Sequence, residues 1–154
     1  MQKIIFFLAI FLFLTMQNIS AQNNKPRAVL NHHALYVTDL QKAGDFYKNI
    51  IGLEQIEEPF KIGKHIWLKT GPATSLHLIL GADAKREYYK NHHTCFSVPS
   101  LEEFINKLNA NKIPYEDVNG KKSSVTSRVD GVKQIWLQDP DGYWIEVNND
   151  PASF

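Results

Sequence analysis

The sequence predicts an α+β protein made of two similar halves, each a strand, a helix and three further strands. Three observations predict it. His32-His33-Ala34-Leu35-Tyr36-Val37-Thr38-Asp39-Leu40 recurs 61 residues later as His93-Thr94-Cys95-Phe96-Ser97-Val98-Pro99-Ser100-Leu101, sharing the leading His, an apolar residue, Val, a cap-type residue and Leu. Ile66-Trp67-Leu68 and Leu76-His77-Leu78 recur 69 residues later as Ile135-Trp136-Leu137 and Ile145-Glu146-Val147. In the first recurring segment a period-2 pattern gives way to helical spacing, which reads as a strand running into a helix.

Taken in order, the chain opens with Lys3, an apolar run from Ile4 to Met16 and the small-residue stretch Ile19-Ser20-Ala21. A basic start, an apolar core and small residues before a cut describe a signal peptide, here 1–21, cleaved after Ala21. The run is shorter than the roughly 20 residues a membrane span needs. No Cys follows the cut, which argues against a lipoprotein. The expectation is therefore an exported protein, periplasmic or secreted, with a single domain over 22–154. Module one covers 28–80 and module two 90–149, with Gly81 to Asn91 between them.

Asp39 and Ser100 are natural N-caps, and Ser100-Leu101-Glu102-Glu103 fits a capping box. The first helix carries Leu40, Ala43, Phe46, Tyr47, Ile50 and Ile51 on one face and ends at Gly52. The second carries Leu101, Phe104, Ile105 and Leu108 and ends near Asn111. The eight residues by which the second half is longer fall in the loop from Lys121 to Arg128.

Composition excludes several classes. With 154 residues, 44% hydrophobic and 21% charged, the chain is globular. Lys plus Arg total 17 against 16 for Asp plus Glu, and removal of 1–21 takes away only Lys3, leaving 16 of each sign. Such a balance offers no footprint for nucleic acid. No later run is long and apolar enough to span a membrane. Cys95 is the single cysteine, so an exported chain would carry no internal disulfide.

Strand parity separates two faces. Leu35, Val37, Ile66, Leu68, Leu76, Leu78, Phe96, Val98, Ile135, Leu137, Ile145 and Val147 face the helices. The opposite parity holds His32, Ala34, Tyr36, His65, Trp67, His77, Ile79, His93, Cys95, Trp136, Trp144 and Glu146. With all three tryptophans and one carboxylate, this second set reads as the lining of a concave cavity. His32 and His93 are repeat-equivalent, as are His77 and Glu146, so pseudo-twofold packing would gather four ligand-type side chains at the centre. Imidazoles and a carboxylate suit Zn, Ni, Mn, Fe or Co. His33 and His92 have the opposite parity and are expected on the helix side or the surface.

The sequence resembles the vicinal oxygen chelate superfamily, which includes glyoxalase I, bleomycin-resistance proteins, fosfomycin thiol transferases, methylmalonyl-CoA epimerase and extradiol dioxygenases. The resemblance covers roughly 28–149. It rests on His-x-x-Leu-x-Val-x-Asp-Leu at 32–40, on Phe46-Tyr47 with Ile51-Gly52-Leu53, on His93 to Val98, and above all on Asp139-Pro140-Asp141-Gly142-Tyr143-Trp144-Ile145-Glu146, which is very like the closing motif of glyoxalase I. It implies two βαβββ modules forming an eight-stranded, incompletely closed barrel around one divalent metal, with His32, His77, His93 and Glu146 at the ligand positions. Glyoxalase I usually has Glu where this chain has His77.

The function so implied is an exported, metal-dependent lyase or isomerase that takes a small-molecule substrate through two adjacent oxygens. Glu146 is the candidate catalytic base, and Tyr36, Trp67, Cys95, Trp136 and Trp144 line the substrate cavity. Lys69 and Arg128 are candidate anchors for an anionic substrate, although lone charges of this kind are commonly solvated. Many relatives form dimers, and a homodimer is expected. The competing readings are an Fe or Mn extradiol-type dioxygenase, metal-dependent addition of a thiol to an antibiotic, and a metal-free resistance-type protein that sequesters a flat ligand.

Overall fold

Asp39 and Ser100 begin the two helices as their short polar side chains dictate. In the computed structural model, which describes residues 27–151, Asp39 accepts a hydrogen bond from the Lys42 amide at 3.0 Å and Ser100 accepts one from the Glu103 amide at 3.2 Å. The first helix, α1 (Leu40–Asp45), widens into a π-helix over Phe46–Ile51. The sequence reading treated 40–51 as one uniform helical face, and this widened turn is the difference. It turns Phe46, Tyr47 and Ile50 into the core together. Gly52, at φ 94°, closes it and donates to the Tyr47 carbonyl at 3.0 Å, a left-handed cap that a side chain would strain. The second helix, α2 (Leu101–Ala110), buries Leu101, Phe104 and Leu108 and ends at Asn111.

The strands form two four-stranded sheets. The first contains β1 (His32–Val37), β2 (Glu54–Ile56), β3 (His65–Lys69) and β4 (Ser75–Leu80) in the order β1-β4-β3-β2. The second contains β5 (His93–Ser97), β6 (Thr126–Ser127), β7 (Lys133–Gln138) and β8 (Trp144–Asn148) in the order β5-β8-β7-β6. In each, the outer strand beside the last one runs parallel to it because the helix carries the chain across, and the remaining pairs are antiparallel. The fold is thus α+β, two βαβββ modules whose sheets do not close on one another among the described residues, as in an incompletely closed barrel. No helix among those residues is long and apolar enough to cross a membrane. The leader-type segment 1–21 lies outside the described residues.

The expected helix-side parity is the core. Leu35, Val37, Ile66, Leu68, Leu76, Leu78, Ile135, Leu137, Ile145 and Val147 are buried in one cluster with both helices, and Phe96 and Val98 pack at its margin. Leu35 lies opposite Leu78 and Leu68 opposite Leu76, so the period-2 pattern of each strand meets its neighbour in register.

The turn 139–142 ties the modules together. Asp139 is buried, and its Oδ1 accepts from the amides of Asp141 and Tyr143, both at 2.9 Å. Its Oδ2 accepts from the Tyr47 hydroxyl at 3.0 Å. Asp141 reaches back to module one, accepting from the Thr38 amide at 2.8 Å and the Thr38 hydroxyl at 2.7 Å. The Tyr143 hydroxyl donates to the Tyr36 carbonyl at 3.1 Å. Gly142, at φ 95°, has no room for a side chain, since a Cβ would stand 2.7 Å from the Arg86 carbonyl oxygen.

Burial is the largest influence on Asp139 and raises its carboxyl from 3.8 to about 6, partly opposed by the amide and Tyr47 hydrogen bonds. A raised native value means that folding favours the protonated form. That contribution is fully present below 3.8 and is lost as pH rises through about 6. An Asp139→Asn variant keeps a carbonyl for the two amides and removes the titration. Urea unfolding across this window should show the wild type gaining about 3 kcal/mol on the variant as pH falls from above 6 to below 3.8, at 1.36 kcal/mol per unit. A constant difference would contradict the assignment.

Candidate functional site

The opposite face of each sheet carries a pair of ligand-type side chains. On the first, His32 stands on β1 and His77 on β4, two positions apart in the parallel register, which pairs Ala34 with His77. Their rings stack at 4.3 Å between centroids, and His77 stacks in turn on Trp67 of β3 at 3.9 Å with 5° between planes. Trp67 and His77 are direct cross-strand partners, so strand pairing itself sets this stack. Burial first, then the neighbouring His32 and His65, pushes the His77 imidazole below its ordinary value, favouring the neutral ring with a free lone pair. His77 Nε2 and Ser75 Oγ are hydrogen-bonded at 2.8 Å.

On the second sheet, His93 Nε2 lies 3.3 Å from Glu146 Oε2. Glu146 is buried, and its other oxygen accepts from Asn148 Nδ2 at 3.1 Å and from the Cys95 thiol at 3.4 Å. Asn148 also donates to Cys95 Sγ at 3.2 Å. The thiol is pushed up to about 12, by burial first and then by the Glu146 carboxylate.

The two repeat-equivalent histidines are held alike. His32 Nδ1 is 2.7 Å from the Asn31 side-chain oxygen, and His93 Nδ1 is 2.9 Å from the Lys90 carbonyl oxygen. Both oxygens are acceptors, which suits a hydrogen on each Nδ1 and, in a neutral ring, a lone pair on each Nε2. This is the arrangement that orients a metal-binding imidazole. At His93 the open Nε2 faces a carboxylate oxygen, two lone-pair atoms that call for a cation between them, either a proton or a metal.

The donor set therefore fits a divalent cation, two atoms at a time. Pseudo-twofold packing was expected to gather all four side chains, and within one chain it gathers them as two pairs. Among the described residues no three His, Cys, Asp or Glu side chains converge on a common point. The pairs stand on the sheet faces opposite the helix-side core, where His77 and Glu146 are themselves buried.

The five residues expected to line one cavity are distributed over several places. Trp67 lines a cavity of about 680 Å³ over the first sheet, together with His32, His77, Phe60 and Lys69. Trp136 is buried. The Trp144 indole donates to the Tyr88 carbonyl at 3.0 Å, with the Lys90 ammonium 5.0 Å above its ring. Cys95 stands beside Glu146, and Tyr36 is 53% exposed against Gly81. Arg128 is paired with Asp130 in its own turn. His33 and His92 are exposed, as expected.

Sequence reasoning missed Asn148, Lys90 and Phe60. Asn148 was within reach, because it lies two residues beyond Glu146 on the same face. Lys90 acts through its carbonyl and through contacts with the 116–118 loop, and Phe60 sits in a loop, so neither had a periodic signal.

The fold is a two-module α+β scaffold that carries paired imidazole and carboxylate side chains on the sheet faces opposite its core. The sequence profile of the Glyoxalase/Bleomycin resistance protein/Dioxygenase superfamily matches residues 29–147, and the chain belongs to that superfamily. It is 25% identical to lactoylglutathione lyase of Pseudomonas putida, over 86% of this chain and 92% of that protein. It is 30% identical to metallothiol transferase FosB of Shouchella clausii, over 77% of this chain and 78% of that one. The solved structure of the fosfomycin resistance protein FosX from Listeria monocytogenes shares the fold, with a TM-score of 0.65 and 21% identity over 83% of this chain and 98% of that one.

The contacts of Cys95 set its reactivity. In metal-free protein at pH 8, alkylation of Cys95 by iodoacetamide should run far slower than that of an ordinary exposed thiol, and Glu146→Gln should accelerate it by removing the adjacent negative charge. Equal rates in the two proteins would contradict the Cys95–Glu146 contact.

Proposed function

We propose that the protein is a metal-dependent lyase or isomerase of glyoxalase type, and that its metal centre is completed by a second copy of the chain. The observation that carries this reading is the matched placement of His32 and His93, each with Nδ1 at hydrogen-bond distance from a carbonyl oxygen, with His77 beside the first and Glu146 beside the second. A lyase and a metallothiol transferase among its relatives support the same chemistry. His32 and His77 supply one half of the ligand set, His93 and Glu146 the other. A twofold dimer that laid module one of each copy against module two of its partner would form two equivalent centres. The leader-type composition of residues 1–21 supports reading this activity as an exported one.

The bound divalent metal would supply Lewis-acid stabilisation of negative charge on two adjacent substrate oxygens. Glu146 takes the proton from the carbon beside them and returns it, with Asn148 and Cys95 holding its second oxygen in place. Asn31 and the Lys90 carbonyl keep the two histidines in register. The aromatic side chains of the first sheet exclude water from the substrate.

Elemental analysis of untagged 22–154 should find close to one Zn, Ni or Co per chain, and His32→Ala with His93→Ala should abolish it. Glu146→Gln should keep the fold and lower turnover about 100-fold or more in whichever reaction of an isomerase and lyase screen the wild type performs. Full turnover in that variant would end the role given to Glu146. One Fe or Mn per chain would favour ring-opening dioxygenase chemistry instead. No metal after soaking in each ion would leave a metal-free binding protein.

A further inference from the structure

The cavity of about 680 Å³ over the first sheet has a lopsided chemistry. Among the described residues lining it, Lys69 is the single cation and there is no carboxylate. The nearest acid to Lys69 is Glu54, at 3.9 Å, and both side chains are largely exposed, 52% and 73%. Such a pair is weak and screened by solvent, so it leaves the ammonium available. Arg128, the other candidate anchor, is already paired with Asp130.

The walls beside Lys69 are apolar. Ile56, Phe60 and Trp67 line the cavity, and Phe60 meets the Trp67 ring edge-on at 6.0 Å. Phe60 is nevertheless 57% exposed and its loop neighbour Ile62 is 59% exposed. Exposed apolar side chains at the rim of a cavity are what a ligand's apolar body would cover. Lys69 pairs across the strands with Ser75, and Trp67 with His77, so Lys69 stands one same-face step along β3 from the histidine stack. Two residues of strand span about 7 Å, the length of a small molecule rather than a polymer.

We propose that this cavity binds a small organic anion, a carboxylate or phosphonate head joined to an apolar body, and that Lys69 selects for the charge while Phe60 and Trp67 hold the body. Lys69 is then a specificity residue. The assignment deepens the reading given under Proposed function, on which it rests for the cavity being the substrate's.

The test is binding to EDTA-treated protein, followed by tryptophan fluorescence and by NMR shifts. The probes are phenylphosphonate, phenylacetate, neutral 2-phenylethanol and inorganic phosphate. Both aromatic anions should bind saturably, about tenfold tighter than the alcohol, and phenylphosphonate tighter than inorganic phosphate. The stronger of the two anions identifies the head group. Lys69→Met should erase the preference for charge without weakening the alcohol, Lys69→Arg should keep it, and sodium chloride should weaken the anions alone. The proposal is overturned by an unchanged preference in Lys69→Met, by phenylphosphonate binding no better than inorganic phosphate, or by no saturable binding of either aromatic anion. Because no metal is present, a protein that proves unable to bind metal leaves this result standing. A metal-binding protein with no anion preference overturns this proposal and leaves the proposed function standing.

Discussion

Each sheet of this protein has one helix, and one helix covers one face. That constraint governs everything else. Alternate residues of every central strand go into the shared core, and the intervening ones stand on the face opposite the helix. His32, His77, His93 and Glu146 all belong to the second set, so the same alternation that builds the core also sorts the ligand-type side chains onto the opposite faces. A one-residue slip of β4 would bury His77 among leucines and expose Leu76 and Leu78, so core and site are specified together.

What joins the modules is polar and buried. Asp139 gathers the Tyr47 hydroxyl and two amides, and Asp141 gathers Thr38, so the loop between β7 and β8 is fastened to the first helix and to the end of β1. The same loop leads directly into β8 and Glu146. The segment 139–146 is therefore one device, in which the turn fixes the modules and the strand presents the carboxylate. Its glycine has its own task, because the linker carbonyl of Arg86 occupies the space a side chain would need.

Much of this was legible in the sequence, because it rests on local rules. The cap residues Asp39 and Ser100, the left-handed Gly52, the period-2 core and the repeat all follow from short-range stereochemistry and pattern. What was hidden depends on contacts between distant segments. The π-helix at Phe46–Ile51 has the same apolar spacing as an ordinary helix. The Asp139–Tyr47 bond joins residues 92 positions apart. The parity of Trp144 suggested a cavity wall, and it borders smaller cavities beside His93 and Trp136, but its contacts with Tyr88 and Lys90 of the linker had no periodic signal. The pairing of ligands two by two was also beyond pattern, since a repeat states equivalence and not distance.

The central claim is that the two pairs are halves of one metal centre shared between two copies. Mixing complementary variants tests it most directly. One variant carries His32→Ala and His77→Ala, the other His93→Ala and Glu146→Gln. Each alone should hold no metal. Unfolded together and refolded as an equal mixture, half the dimers would be mixed and each would regain one of its two centres, giving about a quarter of the wild-type metal content. Metal retained by either variant alone, or none recovered on mixing, would contradict a centre shared between copies.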